Sequence, residues 1–498
     1  MKNRIYMFAL LVASLVMGCI DDKGNYDYVP VDELFPVAIS GLKDEVDVLV
    51  GEELKLTATV QGDEQLENLR YAWFLNAGTG MRDTLGYGKE LNYKVELESA
   101  TYTLLFEVKD TVKEVFVRHE MKLAVQTVYS KGWLVMESDG TGSDVDFVSV
   151  DGEVRENQFT ATGSGRMPGE PRQIFYWKNH NHEVDYGDSV VVEKKEAFLF
   201  LSEHDMRVCN ANNMEVLKRG VECFYEAPEV LEPRCVVGKG GSAVHLNNAG
   251  MSYYLPDNGA NIGKFGYPPM GPDGTYNYDM HRDMFYGSQY TVAWDQESHS
   301  FVYADFNNTP LSYFNASTGE DYGPVSNMDK ELVRLLYRYY VYNKTTYQYT
   351  YYSYAVMKDP DGKIVIADVS SSKLVYPLAG YYDVPEGGKL GEAEVMAVHE
   401  SSPKVFFSAG NELWEHNVNF ATDLSVRERI VYTFPGEEKI AFMQHVDDDL
   451  VVLTNSAAGW NLYAFPFIGG GSEFDGSVSP EKVLIARGEG QGRYVLKR

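Results

Sequence analysis

Residues 290–314 read YTVAWDQESHSFVYADFNNTPLSYF, and the alternation of apolar runs with polar breaks in this stretch decides the fold. Tyr290, Val292 and Trp294 alternate with smaller or polar partners until Asp295-Gln296-Glu297-Ser298 ends the run. Residues 301–304 resume it, 305–309 break it again, and 311–314 form a third short run. Runs of this length, rich in aromatic and β-branched residues and bounded by Asp, Asn and Ser, are antiparallel strands. A single hairpin leaves a face unburied, so it needs neighbours of its own kind.

Those neighbours are present. Comparable paired runs begin at Trp133 and Val145, Ala197 and Met206, Ser242 and Met251, Tyr352 and Lys363, Glu394 and Lys404, and Ile440 and Asp449. With the opening stretch they make seven units, spaced by roughly 40 to 65 residues, close to the period of propeller blades. Repetition around an axis leaves only short, protected sheet edges. The runs at 482–485 and 494–496 would supply a strand that closes the ring. The expectation is an all-β chain with a seven-bladed β-propeller over residues 128–498, although six or eight blades would also fit the weaker matches.

Residues 30–127 read as a separate small β-domain. Alternating runs fall at 46–50, 54–60, 71–75, 91–95, 101–108 and 115–125, with turns every 8–15 residues, as in a β-sandwich. The 498-residue length agrees with more than one core. The formal charge of −29 argues against nucleic acid and anionic headgroups, because no basic stripe exists to release counterions.

The chain opens with a basic Lys2 and Arg4, an apolar stretch over residues 5–16, and Val16-Met17-Gly18-Cys19. The apolar run is too short to span a bilayer comfortably. Its ending resembles the lipobox of bacterial lipoproteins, which implies a signal peptide over 1–18 and lipid attachment at Cys19. Acyl chains at about 0.8 kcal/mol per buried CH₂ would hold such a protein at a membrane. Residues 19–29 form an acidic tether, and Ile20-Asp21-Asp22-Lys23-Gly24-Asn25-Tyr26-Asp27-Tyr28 resembles the start of PKD-like family surface lipoproteins of Bacteroidota. Tyr71-Ala72-Trp73-Phe74 and the 100–110 run are similar to the tryptophan strand and the Tyr-containing strand of PKD domains, whereas Asn76-Ala-Gly-Thr-Gly80 replaces their usual Gly-Asp-Gly. The resemblance implies a lipid-anchored outer-membrane protein facing outward. As an accessory to a SusC–SusD-type importer, it would capture or pass on an oligopeptide or glycan.

Chemistry is sought in three insertions, because propellers carry function on loops and in the channel. The first, 160–188, contains Arg166, Arg172, Trp177 and the metal candidates His180, His182 and Asp185, whose alternate histidines would chelate from one strand face. The second, 256–287, is rich in Gly, Pro and Tyr, with Tyr276 and Tyr278 as ligand-contacting candidates and Asp273, Asn277 and Asp279 near calcium-loop spacing. The third, 313–354, starts with a capping-box pattern at Ser326-Asn-Met-Asp329. There Met328, Leu332, Leu335, Leu336 and Tyr339 predict a short helix with Arg334 and Arg338 outward. Beyond it, Tyr337, Tyr340, Tyr342, Tyr347 and Tyr349 offer aromatic area for sugar rings or extended peptides. Strand and inter-blade packing, normal in a propeller, is the favoured reading of the same tyrosines.

Cys209, Cys223 and Cys235 suit either buried thiols or one bridge between Cys223 and Cys235. No Gly-x-Ser-x-Gly, His-Glu-x-x-His, Walker or Rossmann pattern occurs, so no cofactor and no catalytic residue is expected. The leading expectation is therefore a binding protein. A surface propeller hydrolase or lyase, and a purely structural importer subunit, are the alternatives.

Overall fold

Six sheets of four strands and a seventh of five follow one another along the C-terminal part of the chain, and each is built from consecutive antiparallel strands except the first. The computed structural model describes residues 34–64, 66–76, 82–238, 244–248, 250–255, 262–287, 290–305, 310–314, 325–371, 378–418, 427–469 and 473–498. The expected signal peptide, Cys19 and the expected tether lie outside them, as do parts of the second and third insertions. The chain divides into two units, Met1–Gln126 and Thr127–Arg498.

In the first unit, a five-stranded sheet holds Leu69–Asn76 and Ala100–Asp110 at its centre, with two two-stranded sheets beside it. Trp73 is fully buried, lies 4.6 Å from the Phe106 ring and donates its indole N–H to Gly88 O at 3.1 Å. A buried indole keeps its one donor satisfied in this way. The unit is a PKD-like β-sandwich, as expected.

The second unit is a seven-bladed propeller. Blade 1 takes Gly132–Ser138, Ser143–Ser149 and Val154–Arg155 from the start of the unit and Gln491–Lys497 from its end. The late strand pairs antiparallel with Gly132–Ser138 and closes the ring. Arg498 locks it by pairing with Glu196 at 2.7 Å and donating to Tyr129 O at 2.9 Å. Blades 2 to 7 begin at their innermost strands: Pro171–Asp185, Pro233–Gly238, Phe285–Tyr286, Glu331–Asn343, Met396–Val398 and Lys439–Val446. Leu484–Gly488, part of which was expected to close the ring, is instead an outer strand of blade 7.

Seven apolar clusters among the described residues lie one between each pair of adjacent blades. For example, Leu134 and Phe147 of blade 1 meet Ile174 and Phe198 of blade 2, and Trp460 and Leu462 of blade 7 meet Trp133 and Val135 of blade 1. Each blade buries both faces against its neighbours, which is why its middle strands read as continuous apolar runs.

The expected helix of the third insertion does not form. The stretch expected as a helix is the strand Glu331–Asn343. Its pairing slips by one residue between Leu332 and Arg334 and again between Tyr337 and Tyr339. Each bulge stretches the two-residue alternation to three, so the buried Leu332, Leu335 and Arg338 imitate a helical spacing. Arg338 is not outward: it is buried, lies 4.3 Å over the Tyr354 ring and donates to Ser402 O at 3.3 Å. Of the two readings of the cysteines, the buried thiols hold and the Cys223–Cys235 bridge does not form, since all three are free and buried in three different inter-blade clusters.

Candidate functional site

All seven innermost strands run in the same direction, so their first residues meet at one face of the propeller. There the channel widens to a cavity of about 860 Å³, lined from every blade. Its chemistry is uneven. Five consecutive blades each contribute one arginine: Arg493, Arg172, Arg234, Arg282 and Arg334. Blades 6 and 7 contribute Glu394, Met396, Phe442, Met443 and Gln444 instead.

Backbone irregularity sets up this arc. In blades 1, 2 and 3 the inner strand carries one extra residue against its neighbour, and the extra residue is Arg493, Arg172 or Arg234. A bulge of this kind bends the strand and re-aims a side chain out of the ladder. Blade 4 departs further. Met280 bridges Asp295, His281 N donates to Trp294 O at 2.9 Å and Phe285 pairs with Val292, so 282–284 leave the ladder and carry Arg282 to the cavity wall.

Four of the five guanidiniums are held by carboxylates. Arg172 pairs with Glu203 at 2.8 Å, Arg234 with Asp279 at 2.5 Å, Arg334 with Asp283 at 2.7 Å and Arg493 with Glu170 at 3.4 Å. Burial pushes the Asp283 carboxyl up, but Arg334 and His281 outweigh it and hold it below the usual range. Burial is the main cause that lowers the His281 pKa, with Asp283 opposing, and its Nδ1 accepts the Asp283 backbone N–H at 3.0 Å. Arg282 is solvent-exposed and makes no hydrogen bond or ion pair among the described residues. Desolvation by the channel walls and the nearby Arg334 and Arg172 pull its pKa below arginine's usual range, with Asp283 opposing.

Of the residues singled out in the sequence, Arg172, Asp279 and Arg334 line this cavity, whereas none of the aromatic ligand candidates does. Trp177 is fully buried, 4.3 Å from the Tyr254 ring, and is core rather than ligand surface. Tyr278 is buried with its hydroxyl donating to Pro269 O at 2.8 Å, whereas Tyr276 is exposed. Tyr337, Tyr340, Tyr342, Tyr347 and Tyr349 are exposed on the blade 5 hairpin, where Tyr340 faces Tyr351 and Tyr342 faces Tyr349 across the ladder. At ~3.3 Å per residue, Tyr340 stands about 20 Å along the strand from Arg334, towards the opposite propeller face.

The metal candidates do not assemble. His180 and His182 share a strand face, but Asp185 lies on the other and caps its own turn, accepting from Gly187 N at 2.7 Å. Burial drives the His180 pKa down to about 3, and Lys218 depresses both histidines, a poor setting for a cation. Asp279, one of the calcium candidates, is occupied by Arg234. No group of three or more His, Cys, Asp or Glu suited to a metal occurs among the described residues.

Sequence reading missed Arg234, Arg282 and Arg493, and placed Arg334 on the surface. The available signal was Pro-Arg at the start of two inner strands, Pro171-Arg172 and Pro233-Arg234.

No curated protein matches the chain. Among solved structures it is similar to a quinonprotein alcohol dehydrogenase-like protein from Bacteroides thetaiotaomicron, at 10% identity and TM-score 0.38, covering 92% of this chain and 97% of that one. It is similar to the WD40 domain of SCAP from fission yeast at 8% identity and TM-score 0.35, covering 71% and 90%. A PQQ-bound aldose sugar dehydrogenase from Streptomyces coelicolor follows at 10% identity and TM-score 0.23, covering 58% and 93%. Residues 19–171 match the PKD-like family, a stretch that spans the sandwich and the first strands of the propeller.

Proposed function

We propose that the protein is a non-catalytic binding propeller, lipid-anchored through Cys19 to the outer membrane and facing outward. There it serves a SusC–SusD-type importer as an accessory subunit that captures or passes on an oligopeptide or glycan. The observation that carries the binding role is the water-accessible cavity of about 860 Å³ lined from all seven blades. Its volume falls in the range of small-molecule sites, roughly 300–1,000 Å³. A purely structural subunit has no need of such a space. Glycoside hydrolysis uses a pair of carboxylates, and of the five that line the cavity Glu170, Glu203, Asp279 and Asp283 are each engaged by an arginine, which leaves Glu394 alone. The importer and the anchor rest on the leader and on its resemblance to the PKD-like family lipoproteins.

The test is a mild-detergent pull-down of the tagged, lipidated protein from its own membrane, read by mass spectrometry. A SusC–SusD-type pair in stoichiometric amount is the expected result, and recovery of this protein alone overturns the accessory role. Turnover of peptides or glycans by the soluble form would replace binding with the hydrolase or lyase alternative.

A further inference from the structure

We propose that the arginine arc of the channel is a carboxylate-binding site centred on Arg282, with Arg172 and Arg334 beside it. This deepens the binding role proposed above and rests on it. The arc holds five guanidiniums and four carboxylates that pair with them, so one positive charge is left over in a chain of formal charge −29. That charge sits on Arg282, which is exposed to the cavity and has no protein acceptor among the described residues. Its four companions are already oriented by their own ion pairs, so they hold the walls while Arg282 keeps its planar fork of donors for a ligand.

The neighbouring acids set the charge of that ligand. Asp283, next in the chain to Arg282, and Glu203, paired with Arg172, both line the cavity, so a doubly charged phosphate would meet their repulsion. A singly charged carboxylate matches the one uncompensated cation. Two sources share this chemistry, the C-terminus of a short peptide and the uronate of an acidic sugar. The far wall separates them. Glu394 lines the cavity from blade 6, is exposed and has no partner among the described residues, so it offers a seat to a peptide's ammonium group and none to a uronate.

The experiment is calorimetric titration of the full chain with four probes: trialanine, trialanine amide, trigalacturonate and its methyl ester. At least one acid is expected to bind, and its neutralised counterpart to bind about 10- to 100-fold more weakly, as loss of a charge-assisted hydrogen bond implies. Arg282→Gln should erase that difference without moving the melting temperature, and Arg282→Lys should restore it in part. Glu394→Gln should weaken trialanine alone if the source is a peptide and leave trigalacturonate unchanged if it is a sugar. Equal binding of an acid and its neutral form, or undiminished acid binding by Arg282→Gln, overturns the carboxylate site and leaves the binding role standing. Absence of binding by all four probes overturns the site. If neutral peptides and glycans also fail to bind, the binding role falls with it.

Discussion

Glu137, Asp144 and Asp146 stand together on one face of blade 1, each almost without solvent access. Glu137 lies opposite Asp144 in the ladder and receives Arg166 at 2.8 Å. Asp144 accepts Phe159 N at 2.8 Å and the Thr160 hydroxyl at 2.7 Å, and Asp146 accepts Asn157 N at 2.8 Å and the Trp460 indole at 2.9 Å. The last bond ties blade 1 to blade 7 across the ring closure. Burial raises the Glu137 pKa to about 7 and that of Asp146 to about 6. Because the folded values lie above the unfolded ones, the folded state holds protons that the unfolded chain has released between about pH 4 and 7. Their stabilising contribution is complete below the unfolded values and is lost as pH rises through 6 and 7. For Glu137 alone this is on the order of 3 kcal/mol at most. The melting temperature should therefore fall from pH 5 to pH 8, and Glu137→Gln should flatten that fall; an identical slope in the variant would contradict it. Gly490 also belongs here, since at φ +75° an added Cβ would lie 2.0 Å from Glu137 Oε2. Gly490→Ala should destabilise the ring closure by more than 1 kcal/mol in denaturant unfolding.

Two hairpins are longer than blade packing requires: Pro171–Asp185 with Val190–Ser202 in blade 2, and Glu331–Asn343 with Gln348–Lys358 in blade 5. Both tips project from the face opposite the cavity, because both turns follow an innermost strand. Their fates differ along their length. Trp177 lies in the inner half of one hairpin and is core, so Trp177→Ala should cost about 3–5 kcal/mol of unfolding free energy. Tyr340, Tyr347 and Tyr349 lie in the outer part of the other, and replacing each with Ala should change stability by no more than about 0.5 kcal/mol. If this hairpin meets the importer, the same triple variant should lose the SusC–SusD-type pair in the pull-down while keeping probe binding in the channel. Aromatic content alone could not separate these residues, since a strand in a propeller is rich in aromatics whether it faces a neighbouring blade or water. The bulges were equally invisible. They are backbone irregularities set by pairing, and they both disguised a strand as a helix and turned three arginines inward.

At the scale of the whole molecule, the ring is closed by a single late strand on an early sheet, with residue pairs such as Leu134–Leu496 joining the two ends of the propeller. Closure lets each blade bury both faces, so its loss exposes two blade faces at once. Truncation before Gln491 should lower the unfolding midpoint sharply and raise amide exchange first in blades 1 and 7. Unchanged exchange there would show that the ring does not depend on that strand. Cys19→Ser should move the protein from the membrane to the soluble fraction, since the anchor is proposed to be lipid alone.

The sequence alone determined the all-β class and the sandwich, because strand length, alternation and turn chemistry are local properties that repeat, and it favoured seven blades over six or eight, a count that the closed ring decided. It did not determine phase: the seven recognised hairpins are the second and third strands in blades 1 to 5 but the first and second in blades 6 and 7. Nor did it determine the cavity. Arg172, Arg234, Arg282, Arg334 and Arg493 are separated by up to 321 positions in the chain and become neighbours only when the ring closes. Which of them is left unpaired depends on four ion pairs between distant residues, a property of the assembled tertiary structure with no local trace in the chain.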